Sequence, residues 1–225
     1  MVSKLFVALC AFNCSYFAVA SDRGNYPAEW FAEVSRDTAA SCEVLPQDAA
    51  PGEVILSNRT TLGQLSKYAH TPFELDGQRY ESLEGFLQML KYPESDSDQR
   101  SAIPGINWPH SRSQVAKMVG FAAKDAGKYA SDVMNKMDIS WVTYLGRQIE
   151  FSTVQKGEAY QLITRAVWAK IEDNPEAKHM LMQTGDLVLR PDHDQGSEIS
   201  AALKYYEILM DVRKQIKMKM VQAGL

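Results

Sequence analysis

The chain has few cysteines, and this limits what can stabilise its fold. Cys10, Cys14 and Cys42 are the cysteines of its 225 residues, and the first two lie in an N-terminal segment that we expect to be removed. With Cys42 alone, the mature chain cannot form an internal disulfide and must rely on its core. Delivery into a reducing compartment, such as the cytosol of another cell, explains why a secreted chain would have a single cysteine. A core of about 205 residues that needs no cross-link explains it equally well.

The chain also lacks an excess of positive charge. It has 24 lysines and arginines against 28 aspartates and glutamates, a formal net charge of −4 at pH 7. This balance argues against a protein that follows the backbone of an extended nucleic acid, but a locally basic pocket can still bind a small nucleotide. The sequence contains no Gly-rich phosphate loop, catalytic Cys-His signature, Ser nucleophile elbow, His-x3-His motif or paired-Cys motif.

One long apolar run is present, at the N-terminus. Residues 1–4 include a lysine, residues 5–20 are apolar, and Ala18 and Ala20 give a small-residue ending. We predict a secretory signal peptide over residues 1–20, cleaved before Ser21. The alternative is a membrane anchor, but about 16 apolar residues interrupted by Asn13 are fewer than the roughly 20 that a spanning helix needs. We therefore expect a secreted protein with no membrane attachment after cleavage.

The remaining sequence predicts a predominantly helical α+β fold in a single domain with a small hairpin and short strands. Residues 21–50 are interpreted as a leader with one short helix near residues 28–34, and residues 51–225 as the domain. Strands are predicted at residues 53–57 and 187–189, a loop at 93–109, and no clear element at 141–151. Helices are predicted from Ser113 to about Met137, either as one helix or with a restart before Tyr129, from Ser152 to Asn174, from Pro175 to Gly185, and over residues 197–221.

A hairpin followed directly by a helix is the most informative stretch. Asp76-Gly77 predicts a tight turn between two short strands, because both residues tolerate φ > 0. Ser82 then predicts the N-cap of a helix. Glu84, Gln88 and Lys91 follow at i, i+4 and i+7, so they share one stripe, opposite an apolar stripe formed by Leu83, Phe86, Leu87 and Leu90. A carboxylate, an amide and an ammonium aligned in this way can meet a polar ligand.

This stretch resembles the central motif of the NADAR (YbiA-like) family of N-glycosidases. The matching residues are Leu65, Ser66, Lys67, Tyr68, Pro72, Phe73, Asp76, Gly77, Tyr80, Ser82, Glu84, Gly85, Gln88 and Lys91. The resemblance continues weakly through residues 184–186 and 209–213, and covers roughly residues 54–216. It implies a YbiA-like fold and a small nucleotide-like ligand, with no cofactor and no metal.

The resemblance also implies roles for individual residues. Glu84 would act on the N-glycosidic bond of an ADP-ribose-like or ribosylated pyrimidine substrate, with Asp194 as the second acid. A carboxylate can stabilise the oxocarbenium character of C1′ or deprotonate the attacking water. The substrate-binding residues would be Ser66, Lys67, Gln88, Lys91 and Trp141. Trp108 competes with Trp141 for a stacking role. The alternative for Glu84 is a solvated acid favoured by the helix N-terminus.

The chain departs from the family pattern at several positions. Lys67 replaces an asparagine, Gly85 a histidine and Leu203 an asparagine, and the aromatic pair after Asp194 is missing. A binding module that keeps a nucleotide or ADP-ribose pocket without turnover is therefore a second hypothesis. A secreted effector that acts through protein contacts in a host or partner cell is the third. Residues 192–194 are interpreted as a polar turn, because three adjacent side chains cannot easily converge on one metal ion.

Overall fold

The structure, a computed structural model, describes residues 23–193 and 200–224. The predicted signal peptide and Asp194 lie outside these residues. Within them the fold is mixed α+β, with helices packed around short two-stranded sheets. The α-helices are α1 (Leu83–Met89), α2 (Arg112–Val115), α3 (Gly120–Lys136), α4 (Glu158–Asp173), α5 (Pro175–Gln183) and α6 (Tyr205–Gln222). The strands are β1 (Glu53–Ile55), β2 (Phe73–Leu75), β3 (Gln78–Tyr80), β4 (Trp141–Tyr144), β5 (Arg147–Glu150) and β6 (Val188–Arg190).

Two of the sheets are hairpins, and the third joins distant parts of the chain. Strands β2 and β3 pair antiparallel as the Asp-Gly signal predicts, with Asp76 at φ 52° and Gly77 at φ 77°. Strands β4 and β5 form a second antiparallel hairpin, whose turn residues Leu145 and Gly146 also have positive φ. Strand β1 pairs parallel with β6, and Val54 lies opposite Leu189. This parallel pair brings the start of the domain next to the segment that precedes α6.

The core surrounds α1. Phe73, Tyr80 and Phe86 pack together with ring centroids 4.8 to 5.9 Å apart, which fixes the hairpin on α1. Helix α1 also contacts α2, α3 and α4. Trp30, from the predicted leader, is buried, and its indole N–H donates to the Thr61 hydroxyl at 2.9 Å. No helix in the described parts of the chain is long and apolar enough to cross a bilayer.

Two predicted helix starts are wrong. Ser111, rather than Ser113, caps α2 by accepting a hydrogen bond from the Gln114 amide, and the chain restarts as α3 at Gly120, where φ is +58°. Helix α4 begins at Glu158 rather than after Ser152. The chain around Ser152 is held elsewhere, since the amide of Ala201 donates to the Thr153 carbonyl. Tertiary hydrogen bonds thus override the local capping signal at Ser152.

The segment over residues 141–151, for which the sequence gives no clear element, is the β4–β5 hairpin. The last helix is shorter than predicted. It begins at Tyr205, after a 3-10 turn at Ala201–Leu203, whereas the prediction starts at residue 197, outside the described ranges. The end of α4 at Asn174 and the start of α5 at Pro175 match the prediction.

The cap of α1 provides a stability test. The buried Ser82 hydroxyl accepts from the Gly85 amide at 2.9 Å and donates to the Met118 carbonyl at 2.8 Å. Ser82→Ala leaves both partners unpaired, so we expect a loss of about 1–3 kcal/mol in the free energy of unfolding, measured with urea. Ser113→Ala, at an exposed position, is the control and should change it by less than about 0.5 kcal/mol. Equal losses in the two variants would contradict the assignment of Ser82 as the cap.

Candidate functional site

The first turn of α1 is pressed against the chain between α2 and α3. A Cβ atom on Gly85 would lie 2.4 Å from the Met118 carbonyl oxygen and 3.0 Å from that of Val115. Backbone atoms cannot move aside cheaply, so no side chain fits at position 85 without a shift of this segment. This contact gives a physical reason for glycine where the resemblance expects histidine. It also holds the neighbouring Glu84 at a fixed depth in the protein.

Glu84 is buried and compensated by two neighbours. Its side chain is 1% exposed, so the interpretation of a solvated acid is wrong. The Gln88 amide donates to Oε1 at 2.8 Å, and the Lys67 ammonium lies 3.3 Å from Oε2. The backbone amide of Glu84 also donates to the Lys67 carbonyl at 2.9 Å. Buried charges in proteins require such partners, and both come from residues that the motif singled out.

Two buried acceptor atoms distinguish this cluster. Oε2 of Glu84 and Oε1 of Gln88 are buried and receive no hydrogen bond from the described residues. A buried acceptor without a donor is unfavourable by about 1–3 kcal/mol. A hydroxyl or water that reached these oxygens would therefore be held firmly. Oε2 of Glu84, which the Lys67 ammonium approaches to 3.3 Å, is the atom of the cluster that chemistry on a ligand could use.

Gln88 and Lys91, which follow Glu84 along the same stripe, lie against α3. A Cβ atom on Gly127 of α3 would lie only 1.8 Å from the Gln88 side-chain oxygen, so glycine lets the amide lie directly on the helix backbone. The Lys91 ammonium donates to the Ser131 hydroxyl at 2.8 Å. Burial lowers the pKa of Lys91 to about 8, and Glu84 partly opposes that shift. Lys91 is therefore electrostatically linked to Glu84 and is not a fully solvated lysine.

A buried lysine that the sequence reasoning did not include positions the loop carrying Ser66 and Lys67. The Lys170 ammonium is fully buried and donates to the carbonyls of Ser66 at 2.6 Å and Leu65 at 3.3 Å. The hydroxyl of Tyr205 also donates to the Leu65 carbonyl. Burial alone lowers the pKa of Lys170 to about 7. One sequence signal existed: Lys170 interrupts the apolar stripe of α4 between Val167 and Ile171.

Glu84 itself lines neither of two nearby cavities, but it contacts one lining residue of each, Lys67 at the first and Gln88 at the second. The first has a volume of about 40 Å³, and the second about 190 Å³. Leu203 lines both. The described residues that line the first are Leu56, Ser66, Lys67, Tyr68, Pro191, Asp192, His193, Leu203, Tyr205 and Tyr206. The second is lined by Leu87, Gln88, Lys91, Ser131, Met134, Asn135, Ile139, Ser140, Val142, Phe151, Ser152 and Leu203. Typical small-molecule pockets enclose about 300–1,000 Å³, so a nucleotide would be enclosed only in part.

An aromatic ring and a second acid lie at the first cavity, although neither is the residue that the resemblance indicates. Burial raises the pKa of the Tyr68 hydroxyl, and the negative charges of Glu84 and Asp192 raise it further. Tyr68 and Asp192 are therefore close enough to this cluster to affect its electrostatics. The predicted second acid, Asp194, lies outside the described residues. Tyr68 is one of the motif residues and follows Lys67, and Asp192 lies two residues before Asp194; these positions were the available signal.

Trp141 lies in a different part of the fold. It belongs to β4, with the Arg100 guanidinium 4.9 Å from its ring centroid. It lines a cavity of about 510 Å³ together with Glu94, Ser95, Ser97, Asp98, Gln99, Thr143, Gly146 and Gln148. The structure therefore does not bring Trp141 to Glu84. Trp108, the other candidate for stacking, packs against Tyr92 and Tyr129 and donates to the Arg100 carbonyl.

Within residues 23–193 and 200–224, no group of three His, Cys, Asp or Glu side chains is placed to hold a metal ion. The described part of the 192–194 turn contains an internal contact, since Nδ1 of His193 lies 2.8 Å from Oδ1 of Asp192.

Comparisons with known proteins give one similar solved structure. No protein-family model matches the chain, and no curated protein matches it. Among solved structures, the NMR structure of the E. coli protein YbiA is similar with a TM-score of 0.46 and 16% sequence identity, over 74% of this chain and 87% of that chain. Membership of the NADAR family therefore stays a prediction from the motif residues.

The pH dependence of stability tests the role of Lys170. Its pKa is about 7 in the folded chain against an ordinary 10.5, so between these values the unfolded chain holds a proton that the folded chain lacks. Stability should therefore rise with pH across this window, by up to about 1.4 kcal/mol per pH unit. We expect the free energy of unfolding of the wild type to rise relative to that of Lys170→Met as the pH is raised from 7 to 9. Lys128→Met, at an exposed position on α3, is the control and should follow the wild type. Parallel pH curves for the wild type and Lys170→Met would contradict this account.

Proposed function

We propose that the chain hydrolyses an N-glycosidic bond between ribose and a base or amine leaving group, with Glu84 as the catalytic carboxylate. The observation that carries the proposal is the buried carboxylate of Glu84, whose Oε2 accepts no hydrogen bond from the described residues and is approached by the Lys67 ammonium at 3.3 Å. Its partners Lys67 and Gln88 line two cavities. The motif resemblance supplies the reaction class. The substrates it suggests are ADP-ribose-like molecules and ribosylated pyrimidines, and the reaction needs no cofactor.

The chemistry follows from charge development at C1′ of the ribose. As the C1′–N bond breaks, its electron pair leaves with the nitrogen and C1′ gains oxocarbenium character. A carboxylate oxygen nearby stabilises this charge, or takes a proton from the water whose oxygen bonds to C1′. That proton then returns to the leaving nitrogen or to solvent. Because Glu84 is excluded from water, its charge acts more strongly than it would at the surface.

The neighbouring residues have supporting roles in this proposal. Gln88 holds Oε1 through its amide, which leaves Oε2 to face the reacting sugar. Lys67 compensates the carboxylate in the resting protein, and its side chain is 26% exposed, so it can also reach an anionic group on a ligand. Ser66 and Lys91 line the two cavities, where they would bind hydroxyl or phosphate oxygens.

A binding module without turnover is the second candidate. It is favoured by the tight packing at Gly85, which excludes the histidine of the family pattern, and by the apolar Leu203 between the two cavities, where that pattern has asparagine. Such a module would keep the polar cluster as a recognition site for a nucleotide or ADP-ribose. It predicts saturable binding of these ligands with no release of product.

Replacement of Glu84 tests the reaction. We expect the purified chain to release a reducing sugar from an ADP-ribose-like substrate or a ribosylated pyrimidine, detected by chromatography and NMR. Glu84→Gln keeps the side-chain shape but removes the charge, and should lower the rate by about 100-fold or more. Glu74→Gln, an exposed glutamate in the β2–β3 hairpin, is the matched control and should stay within about twofold. An active Glu84→Gln variant would reject the residue assignment. Saturable binding to an inactive wild type would favour the binding module.

We also propose that the protein is secreted and that its target lies outside the producing cell, in a host or partner cell. The support is the composition of residues 1–20 and the single cysteine of the mature chain, Cys42, which is exposed. The same composition predicts that N-terminal sequencing of the protein from its culture medium begins at Ser21. A secreted or membrane-bound chain that retains residue 1 would contradict signal cleavage.

A further inference from the structure

An aromatic pair lies on the surface beside the first cavity. Phe121, in the first turn of α3, is 74% exposed. Its ring stacks on that of Tyr68, with centroids 5.8 Å apart and an interplanar angle of 19°. Scattered exposed apolar side chains are normal on protein surfaces. This ring differs because it extends a half-buried tyrosine that itself lines a cavity.

The pair is held in place by the backbone. The Gly120 amide donates to the Tyr68 carbonyl at 3.2 Å, and Gly120 has φ +58°, a conformation that suits glycine. The Tyr68 amide in turn donates to the Ser66 hydroxyl at 3.2 Å. The two rings therefore belong to segments that are tied to each other before any ligand binds, which lowers the ordering cost of binding.

Two lysines flank the pair. The Lys67 ammonium lies 5.2 Å from the Tyr68 ring centroid. The Lys124 ammonium, one turn along α3, lies 6.0 Å from the Tyr68 centroid and 5.7 Å from that of Phe121. On the inner side, Glu84 pairs with Lys67, and Asp192 lines the cavity. The positive charge thus lies beside the exposed rings, whereas the two acids lie toward the cavity.

We propose that Tyr68 and Phe121, with Lys67 and Lys124, form a stacking platform that binds the base and phosphate of a nucleoside phosphate. The base would stack on the exposed rings, as bases do on aromatic side chains in single-strand binding proteins, and the phosphate would contact the lysines. The proposal rests on the proposed function, because the platform leads through Lys67 to Glu84. It identifies the substrate as one that carries a phosphate and an aromatic base outside the reacting centre.

This occupant accounts for both properties of the surface. An apolar peptide or lipid chain would use the rings but leave the ammonium groups without a partner. A sugar phosphate would use the ammonium groups but leave the rings exposed. A nucleoside phosphate matches the planar apolar area and the positive charge in one molecule. A base that stacks on exposed rings does not need to be enclosed, which agrees with the small volume of the first cavity.

Calorimetry with small probes separates the base contribution from the phosphate contribution. The probes are adenosine monophosphate, uridine monophosphate and ribose 5-phosphate, which lacks a base; chromatography verifies that they stay intact. We expect Phe121→Ala to weaken binding of the better nucleotide by about tenfold or more and to leave ribose 5-phosphate binding unchanged. Phe121→Trp should retain nucleotide binding. Lys124→Gln should weaken nucleotide and sugar phosphate alike, by about two- to fivefold.

The controls make the outcomes distinct. Val154 is 70% exposed but does not contact the platform, so Val154→Ala should bind as the wild type does. The platform is overturned if Phe121→Ala binds nucleotide like the wild type, if it loses ribose 5-phosphate binding to the same extent, or if the wild type binds neither nucleotide. Phe121-dependent nucleotide binding by a chain that cleaves no glycosidic bond would support the platform while rejecting the proposed hydrolysis.

Discussion

The candidate site depends on the hydrogen bonds that the buried ammonium of Lys170 donates. The carbonyls of Leu65 and Ser66 point into the protein, where they need donors, and Lys170 supplies them together with the hydroxyl of Tyr205. Because these carbonyls face inward, the next two side chains face the cavity: Lys67 reaches Glu84, and Tyr68 stacks on Phe121. The cost is that the Lys170 cation has no carboxylate partner among the described residues, and burial lowers its pKa to about 7. An apolar side chain at position 170 would remove this cost but leave buried carbonyls with fewer donors.

Two glycines allow a polar stripe to lie inside the core. Gly85 lets α1 approach the carbonyls that precede α3, and Gly127 lets Gln88 lie directly on α3. Glu84 precedes Gly85 and hydrogen-bonds to Gln88. It is buried, and its charge must be compensated within the protein. The same packing explains why the chain cannot simply carry the histidine of the family pattern at position 85. Tyr68 and Asp192, which could assist Glu84, line the cavity on the Lys67 side.

Local chemistry made the hairpin and α1 predictable, while tertiary contacts decided the rest. Asp76 and Gly77 specify their turn almost independently of context, and the Ser82 cap needs only the residues that follow it. The spacing of Glu84 and Gln88 placed them on one stripe, but it could not show whether that stripe faces water, because the answer depends on the packing of α3. Ser152 failed as a cap because distant residues hold its segment. For Trp141 the resemblance suggested stacking, whereas the chain path places Tyr68, a less conspicuous aromatic, beside Lys67.

Lys67 links recognition to chemistry in both proposals. In the resting protein the Lys67 ammonium offsets the negative charge of Glu84. If it stayed there during the reaction, it would reduce the stabilisation that the carboxylate gives to the positive charge developing at C1′. A ligand phosphate that attracts Lys67 toward the platform would remove that opposition and leave Oε2 facing the sugar. Lys124 alone could hold a phosphate, but it has no contact with Glu84 that could transmit binding to the carboxylate. In the proposed site, a phosphate bound away from the reacting sugar would thus increase the effective negative charge of Glu84. The lysine at position 67 fits this role, whereas the asparagine of the family pattern would not. An asparagine carries no charge, so it could neither neutralise Glu84 nor be drawn away by an anion.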